Sequence, residues 1–291
     1  MTIVIKVEKL SKKFGKFTAL SEIDFSVSQG EVHGLLGANG AGKTTTMRCL
    51  LGLTNATSGD MFLMGEKIQK NNHIQRREIS YLSGDFRSYE NMRSIDYFKY
   101  LLRLENSKSK RYEELSSRFD LDFNRKIADL SKGNKQKVGI VQAFMKSPKI
   151  LILDEPTGGL DPNLQREFRK LLEEEKNSGS TILLSSHDLL EIQNTCDHVT
   201  IIKEGSVIAS LSKEELNRKS LSKITVRFVE SPKIQEIKKN KSIKNYIKNE
   251  NEFIFYISGS MNDFVQFLSK YKIEQLYSDT SDLNETLLEY F

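Results

Sequence analysis

Apolar and polar positions change period repeatedly along the chain. From Ile3 to about Ser210, short β-like runs alternate with helical patterns, the rhythm of a mainly parallel sheet covered by helices. Glu31 to Leu36, Ile150 to Leu153 and Thr181 to Leu184 are short apolar runs that end in turn or polar residues, as buried parallel strands do. Leu164, Phe168, Leu171 and Leu172 recur at i, i+4, i+7 and i+8 and predict one face of a helix after the second of these strands. A helical stretch from about Ser94 to Phe119 carries Ile95, Phe98, Leu101 and Leu102 at helical spacing. It interrupts the alternation and predicts an inserted helical subdomain, taken as about 86–146. Composition shifts near Ser212 to Leu221, where Ser, Lys, Glu and Asn dominate, and this marks a boundary. Beyond it Ile224 to Val229 and Phe253 to Ile257 read as strands. Met261, Phe264, Val265 and Leu268 share a helix face, and Leu283, Leu287 and Leu288 predict a final helix. The expected fold class is α/β, with residues 1–215 as the main domain and 216–291 as a small C-terminal α/β accessory domain.

A chain of 291 residues fits one large domain or two smaller ones. With 38% hydrophobic and 29% charged residues and only 4 Pro, it is neither disordered nor fibrous. No apolar run approaches the roughly 18 residues needed to cross a bilayer, and the start lacks the apolar stretch of a signal peptide, so a soluble, non-secreted protein is expected. Cys49 and Cys196 lie far apart in apolar surroundings and read as buried free thiols, in keeping with a reducing cytosol. The net charge of +5 is too mild to demand nucleic acid. It is unevenly spread, however: Leu216 to Glu250 holds ten Lys or Arg against three acids. Such a run is ordinarily a solvated face, and contact with an anionic lipid surface is the sharper reading.

Gly37-Ala38-Asn39-Gly40-Ala41-Gly42-Lys43-Thr44 fits GxxxxGK[ST] and lies after a strand and before an apolar helical run, Met47 to Leu53. Glycines let the backbone wrap a phosphate so that N–H groups and the helix N-terminus point at the anion. Lys43 would reach the β- and γ-phosphates, and Thr44 would offer its hydroxyl to Mg²⁺. Ile150 to Leu153 runs into Asp154-Glu155-Pro156, delivering two carboxylates at the end of a strand where ligands sit in open α/β sheets. There Asp154 can hold the Mg²⁺ shell and Glu155 can polarise an attacking water. The third strand ends in Ser185-Ser186-His187, which would bring His187 near the γ-phosphate if its strand neighbours the others. His33 reads as a hydrogen-bonded core residue, and His73 and His198 as surface positions.

With these residues in order, the chain resembles the nucleotide-binding ATPase subunit of an ATP-binding cassette (ABC) transporter. Leu130-Ser131-Lys132-Gly133-Asn134, followed by Lys135 and Gln136, resembles the family's LSGGQ signature, Gly159-Leu160-Asp161 its D-loop, His187 its switch histidine, and Phe14-Gly15 falls where an aromatic stacks on adenine. The resemblance covers roughly the first 215 residues. It implies ATP and Mg²⁺ as cofactors, with ATP held by Phe14, Gly37, Ala38, Asn39, Gly40, Ala41, Gly42, Lys43, Thr44 and Thr45. Catalysis then falls to Glu155 and His187, and the metal to Thr44 and Asp154. Ser131, Gly133 and Asp161 would act in trans, from the partner of a homodimer or heterodimer of ATPase subunits.

Two departures stand out. Lys132 and Asn134 replace the signature's second Gly and its Gln. Ile79-Ser80-Tyr81-Leu82-Ser83-Gly84-Asp85 occupies the Q-loop segment with Gly84 where the family has glutamine, which makes Asp85 a further candidate for Mg²⁺ or its waters. Ser281 to Phe291 is similar to the closing helix of ATPases from type-2 bacterial exporters of drugs, antibiotics and peptides. The implied partner is an integral membrane permease at the cytoplasmic face of the membrane, with no nucleic acid, and the chain alone is expected to be soluble. Two other readings remain: a soluble ABC ATPase acting on ribosomes or nucleic acid, which one phosphate loop and no long heptad run disfavour, and a degenerate cassette that binds ATP without hydrolysing it.

Overall fold

The computed structural model describes residues 2–68, 78–219, 222–258 and 261–279. The expected helix over Leu283, Leu287 and Leu288, and His73, lie outside them. Contacts divide the chain into two compact units, Met1–His187 with Asn194–Ser210, and Asp188–Gln193 with Leu211–Phe291.

The first unit opens with two 12-residue strands, β1 (Ile3–Phe14) and β2 (Phe17–Ser28), paired antiparallel. A five-residue strand, β3 (Val32–Leu36), follows and is buried throughout. Helix α1 (Lys43–Leu50) starts four residues before the apolar run Met47 to Leu53 and ends before that run does. Its limits are set by backbone rather than hydrophobicity, since Gly42 (φ +112°) heads it and Gly52 (φ +65°) lies just beyond its end. Strands β4 (Ser58–Leu63) and β5 (Glu66–Lys67) complete an antiparallel sheet of order β2-β1-β4-β5.

Strand β6 (Ile79–Leu82) leads into the helical subdomain. The single stretch expected from Ser94 to Phe119 is two helices, α2 (Ser94–Leu104) and α3 (Arg111–Arg118), because Asn106 takes a left-handed φ of +52° that ends the first. Helix α4 (Lys132–Phe144) begins at Ser131, whose Oγ accepts the Asn134 N–H at 3.3 Å. Strand β7 (Ile150–Asp154) precedes α5 (Pro162–Asn177), which buries Phe168, Leu171 and Leu172 on the expected face. Arg118 of α3 reaches Glu167 and Glu174 of α5, each at 2.5 Å. Strand β8 (Thr181–Ser186), helix α6 (Leu189–Thr195) and strands β9 (His198–Lys203) and β10 (Ser206–Ser212) follow.

The central sheet has the order β10-β9-β3-β8-β7-β6, and its core strands run parallel. Both faces of β3, β7 and β8 are covered, which is why they read as continuous apolar runs instead of alternating ones. Register matters here: Leu36 pairs with Ser186, and Asp154 with Ser185, so β3, β8 and β7 end level. Gly37, His187 and Glu155 therefore leave the sheet side by side.

Helix α7 (Lys213–Lys219) occupies the segment expected as a domain boundary. Ser212 and Glu215 make a capping box there: the Ser212 N–H donates to Glu215 Oε2 at 2.9 Å, and the Glu215 N–H to Ser212 Oγ at 3.2 Å. The polar composition of this stretch is that of a helix start. Then come β11 (Ser222–Phe228), α8 (Ile234–Lys239), β12 (Ile243–Asn249), β13 (Glu252–Ile257), α9 (Met261–Leu268) and β14 (Ile273–Asp279). The antiparallel order β12-β13-β11-β14 is a split βαβ arrangement. Alternate residues of β11 and β13 (Ile224, Val226, Phe228, Phe253, Phe255, Ile257) face Ile237, Phe264, Phe267 and Leu268 in an aromatic-rich core. No helix among the described residues is long and apolar enough to cross a membrane.

Candidate functional site: a phosphate loop facing two carboxylates

The loop after β3 turns on Gly42, and a Cβ there would lie 2.6 Å from Leu20 Cδ2, so the left-handed conformation and the close packing on β2 both require glycine. Ala38, Asn39 and Gly40 are exposed, and the Ala41 N–H closes the turn onto the Ala38 carbonyl at 3.1 Å. Thr44 and Thr45, both partly exposed, fill the first turn of α1. That turn has no side-chain cap and no acidic residue, which leaves its N–H groups and the positive end of the helix dipole to an anion.

Lys43 is buried, yet its ammonium has polar company. Nζ donates to the carbonyls of Gly37 at 2.5 Å and Ala38 at 3.2 Å, and lies 3.2 Å from Glu155 Oε1. Thr44 Oγ1 donates to Asp154 Oδ2 at 2.8 Å, while Ser185 Oγ donates to Asp154 Oδ1 at 2.6 Å and accepts the Glu155 N–H at 3.0 Å. His187 Nδ1 is 2.7 Å from Glu155 Oε2; against an ionised carboxylate, which only accepts, that nitrogen carries the proton. Lys43, Thr44, Asp154, Glu155 and His187 thus form one hydrogen-bonded constellation. Glu155 holds a left-handed φ of +47°, a strained conformation for a residue with a Cβ and one that its surroundings must maintain.

Ser185 did not stand out in the sequence as a site residue, although a serine pair ending a buried apolar strand was the signal available. Gln136 of α4, which follows the signature residues in sequence, was given no role there; its buried amide donates to the Pro156 carbonyl at 2.9 Å and, at 3.5 Å, to that of Glu155.

The remaining candidates lie outside this hydrogen-bonded group. Phe14 ends β1 with its ring half exposed and Lys12 Nζ 4.6 Å from its centroid. Phe17, not singled out in the sequence, pairs with it across the turn and is 65% exposed, so the hairpin tip offers two rings. Ser131 and Asp161 are exposed and each caps a helix. Asp161 Oδ1 accepts the N–H groups of Asn163 and Leu164 at 2.9 and 3.1 Å. Gly133 packs on the D-loop, where an added Cβ would be 2.7 Å from the Gly159 carbonyl.

Asp85 is exposed and takes both Nε and an Nη of Arg87, at 3.0 and 2.8 Å. Its neighbour Gly84 is the residue set against the constellation: a Cβ there would lie 3.2 Å from the Asp154 carbonyl oxygen and 3.6 Å from Oδ2. The other described histidines form a separate group. His33 is buried between Glu31 Oε1 and Thr200 Oγ1, each at 2.9 Å, and His198, about half exposed, stacks on its ring. Burial works to raise the Glu31 pKa, but the hydrogen bond and charge of His33 prevail and hold it below the usual carboxylate value.

The donor set tests the expected metal. A hydroxyl and a carboxylate 2.8 Å apart at the mouth of the loop are hard oxygen donors of the kind Mg²⁺ takes alongside water and phosphate oxygens, so the residues fit.

Comparison with known proteins agrees with this geometry. Residues 20–158 match the family model described as ABC transporter. The chain is 34% identical over 284 residues to an uncharacterized ABC transporter ATP-binding protein, MJ1023 of Methanocaldococcus jannaschii, covering 94% of this chain and 98% of that one. It is 35% identical to the bacitracin transport ATP-binding protein BcrA of Bacillus licheniformis, over 76% of this chain and 73% of the relative. A solved structure of an ATP-binding subunit of an ABC transporter superposes with a TM-score of 0.67 at 31% identity, covering 72% of this chain and 90% of that one. The chain belongs to the ATP-binding subunits of ABC transporters. It is an ABC ATPase, binding ATP and hydrolysing it to power transport.

Proposed function

We propose that this ATPase drives an exporter of an antibiotic, drug or peptide from the cytoplasmic face of a membrane, docked on an integral membrane permease. Support for the cargo class comes from relatives named for bacitracin transport and lantibiotic transport, the latter SrtF of Streptococcus pyogenes. Residues 1–215 would form the ATPase domain and 216–291 an accessory domain. The reading of the chemistry rests on one observation: Lys43, Thr44, Asp154, Glu155 and His187 converge at the level ends of β3, β7 and β8.

Incoming phosphates replace the carbonyls of Gly37 and Ala38, and Glu155, as partners of Lys43. The N–H groups of the loop and of Thr44 and Thr45 wrap the same oxygens, and adenine lies on Phe14. Thr44 Oγ1 and Asp154 are the groups that would hold Mg²⁺, which when bound neutralises charge on the phosphate oxygens. Freed of Lys43, Glu155 accepts a proton from the water that attacks the γ-phosphorus, and His187 orients Glu155 through Nδ1. Ser131 Oγ, Gly133 and Asp161 come from a second ATPase subunit, because within one chain Ser131 and Asp161 stand exposed at helix starts. The transport reading is tested in inside-out vesicles that carry the chain with its permease. ATP-dependent accumulation of bacitracin or a lantibiotic is expected, and no accumulation of any antibiotic peptide, with ATPase activity intact, would remove the exporter reading.

A further inference from the structure

Glu155 can serve as a base only if a strained turn holds it in place. Its left-handed φ of +47° is braced from two sides. Ser185 Oγ of β8 accepts its N–H at 3.0 Å, and Gln136 of α4 holds the carbonyl side. Gln136 is buried, and Nε2 spans the carbonyls of Pro156 at 2.9 Å and Glu155 at 3.5 Å. It sits on the same helix that Ser131 caps, and the start of that helix packs on the Gly159 carbonyl through Gly133. One turn of α4 therefore touches the chain on both sides of Pro156.

We propose that Gln136 is a positioning residue for hydrolysis: its amide fixes the Glu155-Pro156 turn and couples the helix headed by Ser131 to the base. This rests on the reading of Glu155 as general base given above. In a pair of subunits the consequence is directional. Ser131 and Gly133 would serve the nucleotide of the second subunit while Gln136 acts on the Glu155 of its own, so a shift of α4 caused by one nucleotide reaches the base that acts on the other. The coupling needs no side chain at Gly84, the position where the family has its glutamine, because it enters the turn through the backbone carbonyls.

The test compares Gln136→Met, which keeps length and helix propensity but has no donor, with Gln136→Lys, which keeps an N–H donor group at the end of a flexible stem. Both are made in the 291-residue chain, alongside Glu155→Gln. Gln136→Met should lower kcat about tenfold or more while KM for ATP, equilibrium ATP binding and the thermal midpoint stay close to wild type, and Gln136→Lys should recover most of the rate. Unchanged kcat in Gln136→Met overturns the proposal. So does a parallel loss of kcat, ATP binding and thermal midpoint in both variants, since that is what a purely structural residue would give. The Glu155→Gln control separates the two layers: if it retains turnover, the base assignment itself fails, whereas an inactive Glu155→Gln beside a fully active Gln136→Met rejects only the role of Gln136.

Discussion

Lys43 has three partners in the structure, two carbonyls and Glu155, so its ammonium is held where phosphate will arrive. Removing it leaves Glu155 without its close cation and deletes a charge-assisted contact worth about 2 kcal/mol or more. Lys43→Ala should accordingly weaken ATP binding by roughly 30-fold and lower turnover as well. Equilibrium nucleotide binding on the purified chain checks this, and unchanged affinity would mean the phosphates bind elsewhere. Glu31 offers a residue-scale test of a different kind. Its folded pKa lies below the ordinary 4.5, so it contributes stability that is present above 4.5 and is lost as pH falls through the folded value. Glu31→Gln should be less stable than wild type at pH 7, and the gap in urea midpoint should close as pH is lowered below about 4.5. A gap that widens on acidification would contradict the His33 pairing.

At the scale of elements, the site depends on strand ends and helix starts. Asp161 heads α5 with two N–H groups and with Pro162 at the first helical position. Asp161→Ala should cost about 1 kcal/mol of stability, measured by denaturant unfolding, while Asp161→Asn, an equally good cap, should cost little. If Asn nonetheless lowers ATP turnover, the carboxylate has a use beyond capping. The same elements explain what could be read beforehand. Strands β3, β7 and β8 were legible because both faces are buried and their apolar runs end where the chemistry begins. Strands β1 and β2 were not delimited, since Lys9 and Glu22 take positive φ where the ladder shifts register and breaks the two-residue alternation. The phosphate loop, Asp154 and Glu155 are contiguous motifs, whereas Ser185 and Gln136 reach the site only through tertiary pairing, which no local spacing encodes. For the same reason the loop after β6 drew attention to the charge of Asp85, while the contact with Asp154 belongs to Gly84, a residue with no side chain to notice.

For the whole molecule, the central question is how many chains make a working unit and what the second compact unit adds. If Ser131 and Gly133 complete the site of a partner, ATP should drive association, and Glu155→Gln should trap the dimer because binding contacts remain while the base is lost. Sedimentation with ATP and Mg²⁺ that shows only monomer would count against that arrangement. The C-terminal unit has its own core around Phe228, Phe253, Phe255 and Phe264, distinct from the core packed around α1 and β7. No phosphate-loop pattern occurs in it, and its charge is strongly basic from Leu216 to Glu250. A chain ended after Lys219, which keeps the capping-box helix α7 whole, should therefore bind ATP as the full chain does. What it should lose is affinity for vesicles containing anionic lipid, to which each Lys or Arg near the surface contributes roughly 1 kcal/mol. The difference between full and shortened chains should shrink as salt shortens the screening length. If the shortened chain remains folded by circular dichroism but no longer binds nucleotide, the C-terminal unit is part of the ATP site and its assignment as an accessory domain is wrong.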